Sequence, residues 1–341
     1  MEKNEILNKR IIDLPDAPKV PGLIYRHFQG EADYPGMSAI VMAICEAGLM
    51  EGSFTAEDMA NEYRHLTNCD LSKDLIIAEL DGSIIAYGRA WWAQEKTGKA
   101  YYMLLDVLPE KMDLKIAAPM LRWMESRAQD SATAMPADYA GDLLDVVDQK
   151  DTAKITMLKE FGYQPVRYYF AMERDLENIP DIPLPEGIVA RPAMPSQYHE
   201  VWDKAEEAFS EHWGFTEPTE ENYQGWKESR WFQPFLWQIA WDGNLMVGQV
   251  QNYVDMVENE REKRLRGYTE GISTLKGYRG RGIASALIAR SLKMMKALNL
   301  DEVALSVDSS NATGALRLYE ALGYRTYRKM VEYRKPLLLN D

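Results

Sequence analysis

The chain repeats its local sequence landmarks at a constant interval of 161 residues. An Asp-Gly pair between two apolar, strand-like runs begins at Asp81 and again at Asp242, and a Gly-Tyr pair begins at Gly162 and again at Gly323. Separate landmarks that share one interval indicate the duplication of a whole domain. With only two copies, the sequence predicts a tandem pair of domains instead of a solenoid.

The length of 341 residues is too great for one ordinary core and fits two domains. Between the two copies, residues 177–187 read ENIPDIPLPEG, and the three prolines and the glycine disfavour both helix and central strand. We therefore expect an N-terminal domain over residues 1–176, a proline-rich linker over 177–187 and a C-terminal domain over 188–341.

Charge and cysteine content narrow the class of protein. The net charge of -14 argues against a nucleic-acid partner, because such proteins usually carry a basic face. The two cysteines, Cys45 and Cys69, are too few for a disulfide framework or a four-thiolate zinc site, and the sequence suggests no other metal site. The first 22 residues lack the apolar core of a signal peptide, and no apolar run is long enough to span a bilayer. We expect a cytoplasmic protein without a membrane partner, and the oligomeric state stays open.

The second copy shows a readable order of strands and helices. After the Asp-Gly hairpin at 236–250, residues 268–275 and 302–307 have the character of strands, and residues 283–300 have the spacing of an amphipathic helix. Residues 312–322 form a second predicted helix, which Gly323 would end in a left-handed conformation. A hairpin followed by alternating strands and helices predicts a mixed α/β sheet.

Between the strand and the first of these helices, the chain reads GYRGRGIASAL over residues 277–287. A glycine-rich turn lets an anion approach the unpaired N–H groups at a helix start, and Arg279 and Arg281 would add charge-assisted hydrogen bonds. A surface turn with two solvated arginines is the alternative. Gly280, Gly282 and Ser285 follow a dinucleotide-binding spacing only loosely, and neither the preceding hairpin nor the discontinuous apolar strand suits a doubly wound sheet. A Walker loop would need Gly-Lys-Ser/Thr, which is absent.

Two motifs together resemble the GNAT superfamily of acetyl-CoA-dependent acyltransferases. The first is the run Arg279-Gly280-Arg281-Gly282-Ile283-Ala284 at a strand-to-helix turn. The second is Asn311, followed eight residues later by Tyr319 and then by Gly323-Tyr324. The resemblance implies an α/β (α+β) fold of two tandem GNAT-like domains, each a mixed, mostly antiparallel sheet flanked by helices. The two-domain arrangement is loosely similar to that of mycothiol-synthase-type members.

The resemblance also implies roles for individual residues in the C-terminal domain. The N–H groups of residues 280–284 would hold the CoA pyrophosphate, and the strand over 270–274 would splay away from the strand over 302–307 to admit the pantetheine arm. Asn311 would hydrogen-bond that arm, and Tyr319 would protonate the leaving thiolate. The oxyanion of the reaction would be stabilised by a strand N–H among Ile272, Ser273 and Thr274.

The first copy keeps the frame of the repeat and loses these residues. The counterpart of Tyr319 is Leu158, and that of Asn311 is Lys150. Its turn contains no glycine, and the bulky Met112, Leu114 and Ile116 would obstruct a phosphate. We expect a degenerate domain that supports the second one, whereas weak cofactor binding with altered motifs is the alternative.

Other residues are candidates for the base and for the acceptor site. Glu270 lies near the position of the family's usual base, and on an alternating strand it shares a face with Ile272 and Thr274; the alternative is a surface salt-bridge partner. His212, Trp213 and Phe215 follow the first helix of the second copy, where GNAT proteins bind the acceptor. A structural histidine and core aromatic residues are the competing interpretations for these three.

We therefore predict an acetyl-CoA-dependent N-acetyltransferase (EC 2.3.1.-) that transfers acetyl to a primary amine of a small molecule by direct attack in a ternary complex. Acetyl-CoA is the co-substrate, and no metal is expected. A non-catalytic acyl-CoA sensor or partner-binding module is the alternative, although such a protein has no use for a leaving-group acid. A nucleotide-dependent dehydrogenase is a third possibility.

Overall fold

The computed structural model describes residues 10–134, 141–311 and 313–338, which divide into two compact units. Unit 1 is formed by the described residues up to Val166 together with those from Val331 onward, and unit 2 is Arg167–Met330. These limits differ from the domain boundaries expected from the duplication. Residues 167–176 lie in unit 2 instead of the N-terminal domain, and residues 331–338 lie in unit 1 instead of the C-terminal domain.

Unit 1 is built on a mixed, mostly antiparallel sheet, as the sequence predicts. Its strands are β1 Leu23–His27, β2 Leu75–Leu80, β3 Ser83–Glu95, β4 Gly98–Val107 and β5 Gly141–Asp148. The first four pair antiparallel in chain order, and β4 and β5 pair in parallel. Asp81 and Gly82 join β2 to β3 with φ values of 49° and 86°, as a type I′ hairpin turn requires.

Helices cover this sheet and enclose two buried clusters of apolar side chains. The helices are α1 Tyr34–Glu46, α2 Ala56–Arg64, α3 Leu71–Asp74, α4 Ala117–Thr133 and α5 Thr152–Glu160. The C-terminal segment of the chain also belongs to unit 1, because Val331, Tyr333 and Leu337 are buried in the same cluster as Leu158. Since these side chains complete the core, unit 1 includes the end of the second sequence copy.

Unit 2 contains the second mixed sheet. The strands that follow in the chain are β6 Gln164–Asp175, β7 Ile188–Ala190, β8 Gln238–Asp242, β9 Leu245–Tyr253, β10 Arg266–Thr274, β11 Glu302–Asp308 and β12 Arg325–Leu337. In unit 2 the order is β6-β11-β10-β9-β8-β7, with β10 and β11 parallel and the other neighbours antiparallel. The expected mixed α/β fold is therefore confirmed in both units.

The helices of unit 2 are α6 Tyr198–Phe209, α7 Glu220–Glu228, α8 Met256–Glu262, α9 Ile283–Ala297 and α10 Ala315–Ala321. The proline-rich segment 177–187 contains neither helix nor strand, as its composition predicts. Its Ile179, Ile182 and Leu184 pack against the buried cluster of unit 2, so the segment is a packed part of this unit.

The terminal strands of the two sequence copies are exchanged between the units. Residues 169–175 of β6, which end the first copy, pair antiparallel with residues 302–308 of β11 in unit 2. Residues 331–337 of β12, which end the second copy, contribute apolar side chains to the core of unit 1. Each unit therefore contains a strand from the other copy of the repeat.

Candidate active site

A cavity of about 520 Å³ opens in unit 2 where the parallel strands β10 and β11 part. Their pairing runs from Arg266↔Glu302 to Tyr268↔Ala304 in the register, and beyond that point both strands line the cavity. The separation follows from a bulge in β10, because the register with β9 shifts between Glu270 and Ser273. The splayed strands expected from the resemblance are thus present.

The bulge changes which side chains of β10 lie on the same face of the sheet. Gly271 has a φ of 57°, and two residues of β10 are accommodated opposite one position of β9. Glu270 pairs with Gln251, and Ser273 pairs with Gln249. Since Gln249 and Gln251 are two residues apart on β9, Glu270 and Ser273 lie on the same face of the sheet. The simple alternation that placed Glu270 with Ile272 and Thr274 on one face is therefore wrong, although residues 270–274 all line the cavity.

The glycine-arginine turn places the start of α9 at this cavity. Gly280 and Gly282 have φ values of 73° and 83°, and a Cβ atom at either position would meet no protein atom within 4 Å. Gly280, Gly282, Ile283 and Ala284 all line the cavity. The first N–H groups of this 15-residue helix have no partner within the helix, and no side chain caps it. The turn is therefore suited to bind a phosphate group.

The two arginines of the turn differ in their contacts and in their exposure to solvent. The Arg279 guanidinium donates to Glu211 Oε2 at 2.9 Å, to the Ala208 carbonyl at 2.9 Å and to the Thr274 carbonyl at 3.2 Å. Arg279 thus anchors the end of α6, and it also lines the cavity. Arg281 is exposed, and its guanidinium lies 5.1 Å from the ring centre of Tyr278.

Asn311 and Tyr319 both line the cavity, but they do not share one helix. Helix α10 begins at Ala315, after Gly314 with a φ of 76°, so Asn311 lies in the preceding loop. Residue 312, where the predicted helix begins, lies outside the described residues, and the prediction is wrong at 313 and 314, because the left-handed Gly314 precedes the helix. The Asn311 carboxamide oxygen accepts from the Thr313 N–H at 2.8 Å, which orients the side chain.

Tyr319 lies in α10 with only 6% of its surface exposed. Desolvation is the largest cause that raises the pKa of its phenol above the usual range, and the charge of Glu270 adds to it. The phenol therefore keeps its proton at neutral pH and is a competent proton donor. Gly323 ends the helix with a φ of 88°, as expected, and the Tyr324 ring lies 6.0 Å from that of Tyr319.

Glu270 projects into the gap between the parted strands. Its carboxylate accepts the backbone N–H of Ser306 at 2.7 Å. Desolvation raises the pKa of this carboxyl to about 8, against the lowering effect of that single hydrogen bond. A carboxyl with a pKa near neutrality, in a cavity that also holds a phenol donor, is a candidate general base.

The three acceptor candidates differ in their position. His212 lines the cavity, and both burial and the charge of Arg279 lower the pKa of its imidazole. Trp213 and Phe215 are outside the lining of the described cavity, and Trp213 is 39% exposed. The structure therefore brings His212 to the site and leaves the two aromatic residues beside it.

Some lining residues have no counterpart among the sequence candidates. They include Ala208, Phe209, Ser306, Asp308 and Thr313. Asp308 is the one with a readable signal, because it ends β11, and ligands in α/β sheets bind beyond the carboxyl ends of parallel strands. Ser306 contributes through its backbone, which the residue type does not reveal.

The corresponding region of unit 1 is filled by side chains. Leu158, the counterpart of Tyr319, is completely buried in the core. Met112 and Leu114 pack against the same core, and Ile116, just before α4, is 1% exposed. Lys150, the counterpart of Asn311, donates its backbone N–H to Asp148. The degeneracy of the first copy stays a prediction.

The described residues contain neither a cluster of metal ligands nor a helix fit to span a membrane. Among them, no group of three or more His, Cys, Asp or Glu side chains is placed to hold a metal ion. No helix in residues 10–134, 141–311 and 313–338 combines the length and the apolar character needed to cross a bilayer.

Comparison with protein families and curated proteins points to acyl transfer. The acetyltransferase (GNAT) family matches residues 198–324, which lie within unit 2. A mycothiol acetyltransferase of Geodermatophilus obscurus is 26% identical over 268 residues, which cover 77% of this chain and 82% of that protein. An N-alpha-acetyltransferase of Arabidopsis thaliana is 39% identical over 74 residues, which cover 22% of this chain and 38% of that protein.

Solved structures extend the similarity over nearly the whole chain. A GCN5-related N-acetyltransferase from Sphaerobacter thermophilus superposes with a TM-score of 0.69 at 25% identity, covering 95% of this chain and 97% of that one. A tandem GNAT protein from the clavulanic acid biosynthesis pathway superposes with a TM-score of 0.63 at 13% identity, covering 94% and 100%. The second likeness supports the tandem fold alone.

Proposed function

Since the chain is an acyltransferase of the tandem GNAT type, we propose that unit 2 transfers the acetyl group of acetyl-CoA to a primary amine of a small molecule. The observation that carries this proposal is the placement of Glu270, Tyr319 and the open start of α9 around one cavity. GNAT acetyltransferases use acetyl-CoA as their co-substrate, so the question for this chain is whether its residues suit that molecule.

The residues of the cavity suit CoA in both charge and shape. The N–H groups at the start of α9, with Gly280 and Gly282 open above them, would hold the pyrophosphate. The gap between β10 and β11 would admit the narrow pantetheine arm, and Asn311 lies at its edge. Arg281 is exposed beside the turn, which leaves it available to an anion. Arg279 instead ties the turn to Glu211, just after α6, by a hydrogen bond.

The chemistry follows from two titratable groups in one partly desolvated site. An ammonium group must lose a proton before it attacks a thioester, and Glu270 has the elevated basicity that such a transfer needs. Tyr319 retains its proton and donates it to the departing thiolate. The N–H groups among Ile272, Ser273 and Thr274 in the bulged strand are the donors proposed for the oxyanion. Direct attack is proposed because this arrangement needs no covalent enzyme intermediate.

The acceptor is proposed to be a small molecule, because the relative of Geodermatophilus obscurus, which matches most of this chain, is named for mycothiol. The likeness to an N-alpha-acetyltransferase covers 22% of this chain and supports a peptide amine less strongly. His212 is the proposed acceptor contact in the cavity, and Trp213 and Phe215 stand beside it. A cytoplasmic location is also proposed, in keeping with Cys45 and Cys69 both being thiols.

The proposal is tested by titrating the full chain with acetyl-CoA in a calorimeter and by measuring free CoA released with a panel of small amines. We expect one CoA site per chain, because unit 1 lacks the open turn. Tyr319→Phe keeps the ring and should lower turnover by about 10²–10⁴-fold where thiolate departure limits the rate, with little change in affinity for acetyl-CoA.

Two equivalent CoA sites per chain would contradict the assignment of unit 1 as a domain that does not bind CoA. Tight binding without turnover of any amine would favour the sensor, and binding of a nicotinamide nucleotide without CoA would favour the dehydrogenase.

A further inference from the structure

A side chain from the first sequence copy reaches the cavity of unit 2 through a paired contact. Arg167 stands at the start of the part of β6 that belongs to unit 2. Its Nε and Nη2 atoms donate to the two carboxylate oxygens of Asp308 at 2.9 and 2.6 Å. The side chains expose 21% and 14% of their surfaces, so the pair is largely shielded from water. A two-point pair of this kind fixes the orientation of both groups.

Asp308 in turn organises the loop that presents Asn311. The Asp308 carboxylate accepts the Ser310 N–H at 3.0 Å, and the Asp308 carbonyl accepts the Asn311 N–H at 3.1 Å. Arg167 also donates to the Ser310 carbonyl at 3.2 Å. The guanidinium is therefore bonded to both the carboxylate at the start of the loop and the backbone within it. This loop forms one wall of the cavity, because Asp308 and Asn311 both line it.

The same guanidinium also contacts a residue that lies just outside the cavity lining. Its carbon atom lies 5.2 Å from the ring centre of Trp213, within the range of a cation–π interaction. Trp213 directly follows His212, which lines the cavity from the end of α6. The Asp308 charge also raises the pKa of His212, against the larger lowering effects, so these two lining residues lie close enough to interact.

We propose that Arg167 is a positioning residue of the acyl-CoA site, and that it holds the loop of Asn311 and the segment of Trp213 in place beside the cavity. The proposal rests on the proposed binding of CoA in this cavity. It also gives the exchanged strand a function, since the first copy supplies a residue that the second copy needs. Arg167 touches neither the reacting atoms nor the phosphate turn, so it acts through Asp308 and Trp213.

The test measures CoA affinity of the full chain by calorimetry, which needs no knowledge of the acceptor. Arg167→Ala should weaken CoA binding about tenfold, the size expected for a close pair of this kind. Arg167→Lys should recover only part of the loss, because an ammonium cannot form the two-point pair. The control is Arg325→Ala, since the exposed Arg325 side chain pairs with Glu173 at 3.4 Å in the same unit and its loss should leave the affinity unchanged.

A double-variant cycle separates positioning from general destabilisation. If Arg167 acts through Asp308, the loss from Arg167→Ala should be smaller in an Asp308→Asn background than in the wild type. Unchanged CoA affinity in a folded Arg167→Ala protein, or equal losses in both backgrounds, would overturn the positioning role and leave the proposed function intact. Absence of CoA binding by the wild type would instead overturn the proposed function and this inference with it.

Discussion

Glu270 is the residue whose environment most departs from that of an ordinary glutamate. A carboxylate on a protein surface has water on all sides. Among the described residues, the Glu270 carboxylate instead has a single hydrogen-bond donor, the Ser306 N–H, and it lies in a desolvated cavity. The pKa of Glu270 is therefore raised to about 8, so the carboxyl stays mostly uncharged at any pH below that value. The same property makes the group a base matched to neutral pH and a cost to stability at alkaline pH.

For catalysis, we expect kcat/KM of the wild type to rise with pH up to about 8 and then level off, because the base must lose its proton first. Glu270→Gln keeps the shape of the side chain and removes the titration. It should lower kcat/KM by about 10²–10⁴-fold and abolish this rise. If kcat/KM of both proteins rises with pH in the same way, the rise belongs to deprotonation of the amine substrate. That result would contradict the role of Glu270 as the base.

For stability, the sign follows from a folded pKa above the usual 4.5. Glu270 contributes most below pH 4.5, and its contribution falls as pH rises toward 8, since unfolding then releases a proton. The melting temperature of Glu270→Gln relative to the wild type should therefore increase between about pH 5 and pH 8 and change little above it. A constant difference across this window would mean that the carboxyl is not protonated in the folded state.

At the scale of elements, a substitution at Gly282 in the turn before α9 should obstruct the proposed CoA pyrophosphate more than it disturbs the protein. A Cβ atom at Gly282 would meet no protein atom within 4 Å, so the main cost of a small side chain to the fold is the φ of 83°. Asparagine takes left-handed conformations more readily than other side-chain-bearing residues. Gly282→Asn should therefore remain folded and weaken CoA binding by roughly tenfold or more, as calorimetry would measure.

The matched control for this substitution lies in the same turn. A Cβ atom at Gly277 would also stand in open space, but Gly277 has no left-handed φ and is outside the cavity lining of the described residues. Gly277→Asn should therefore leave CoA affinity unchanged. Equal affinity of the Gly277 and Gly282 variants would show that the turn is not the phosphate site.

The elements also differ in how well the sequence predicts them. Hairpin turns, the glycine-arginine turn and the helix end at Gly323 were predictable, because each has a local signature in Gly, Asp or Arg. The bulge at Gly271 and the late start of α10 were not, since a glycine within a strand or helix pattern does not reveal its φ value. The contacts of Arg279 with α6 could not be predicted for a related reason, because its partners on α6 and just after it are 71 and 68 residues away in the chain.

At the scale of the whole molecule, the exchange of terminal strands could not be deduced from the sequence. Because the copies are duplicates, β6 and β12 are equivalent strands, and each has the pattern to complete either sheet. Local propensity and burial pattern are therefore the same whether a strand stays with its own copy or joins the other. Only the pairing of β6 with β11, and the burial of residues 331–337 in unit 1, resolve the question.

This exchange predicts where the chain can be cut to isolate the site. A fragment of residues 167–330 keeps β6 beside β11 and keeps the Arg167–Asp308 pair. A fragment of residues 177–341, cut where the duplication suggests, loses both and takes Val331, Tyr333 and Leu337 out of the core of unit 1. Its β11 keeps an unpaired edge unless β12 folds back to replace β6. We expect the first fragment to unfold cooperatively and to bind CoA, and the second to aggregate or to bind at least roughly tenfold more weakly. Calorimetry beside the full chain measures both, and equal CoA affinity of the two fragments would mean that β6 is dispensable for the site.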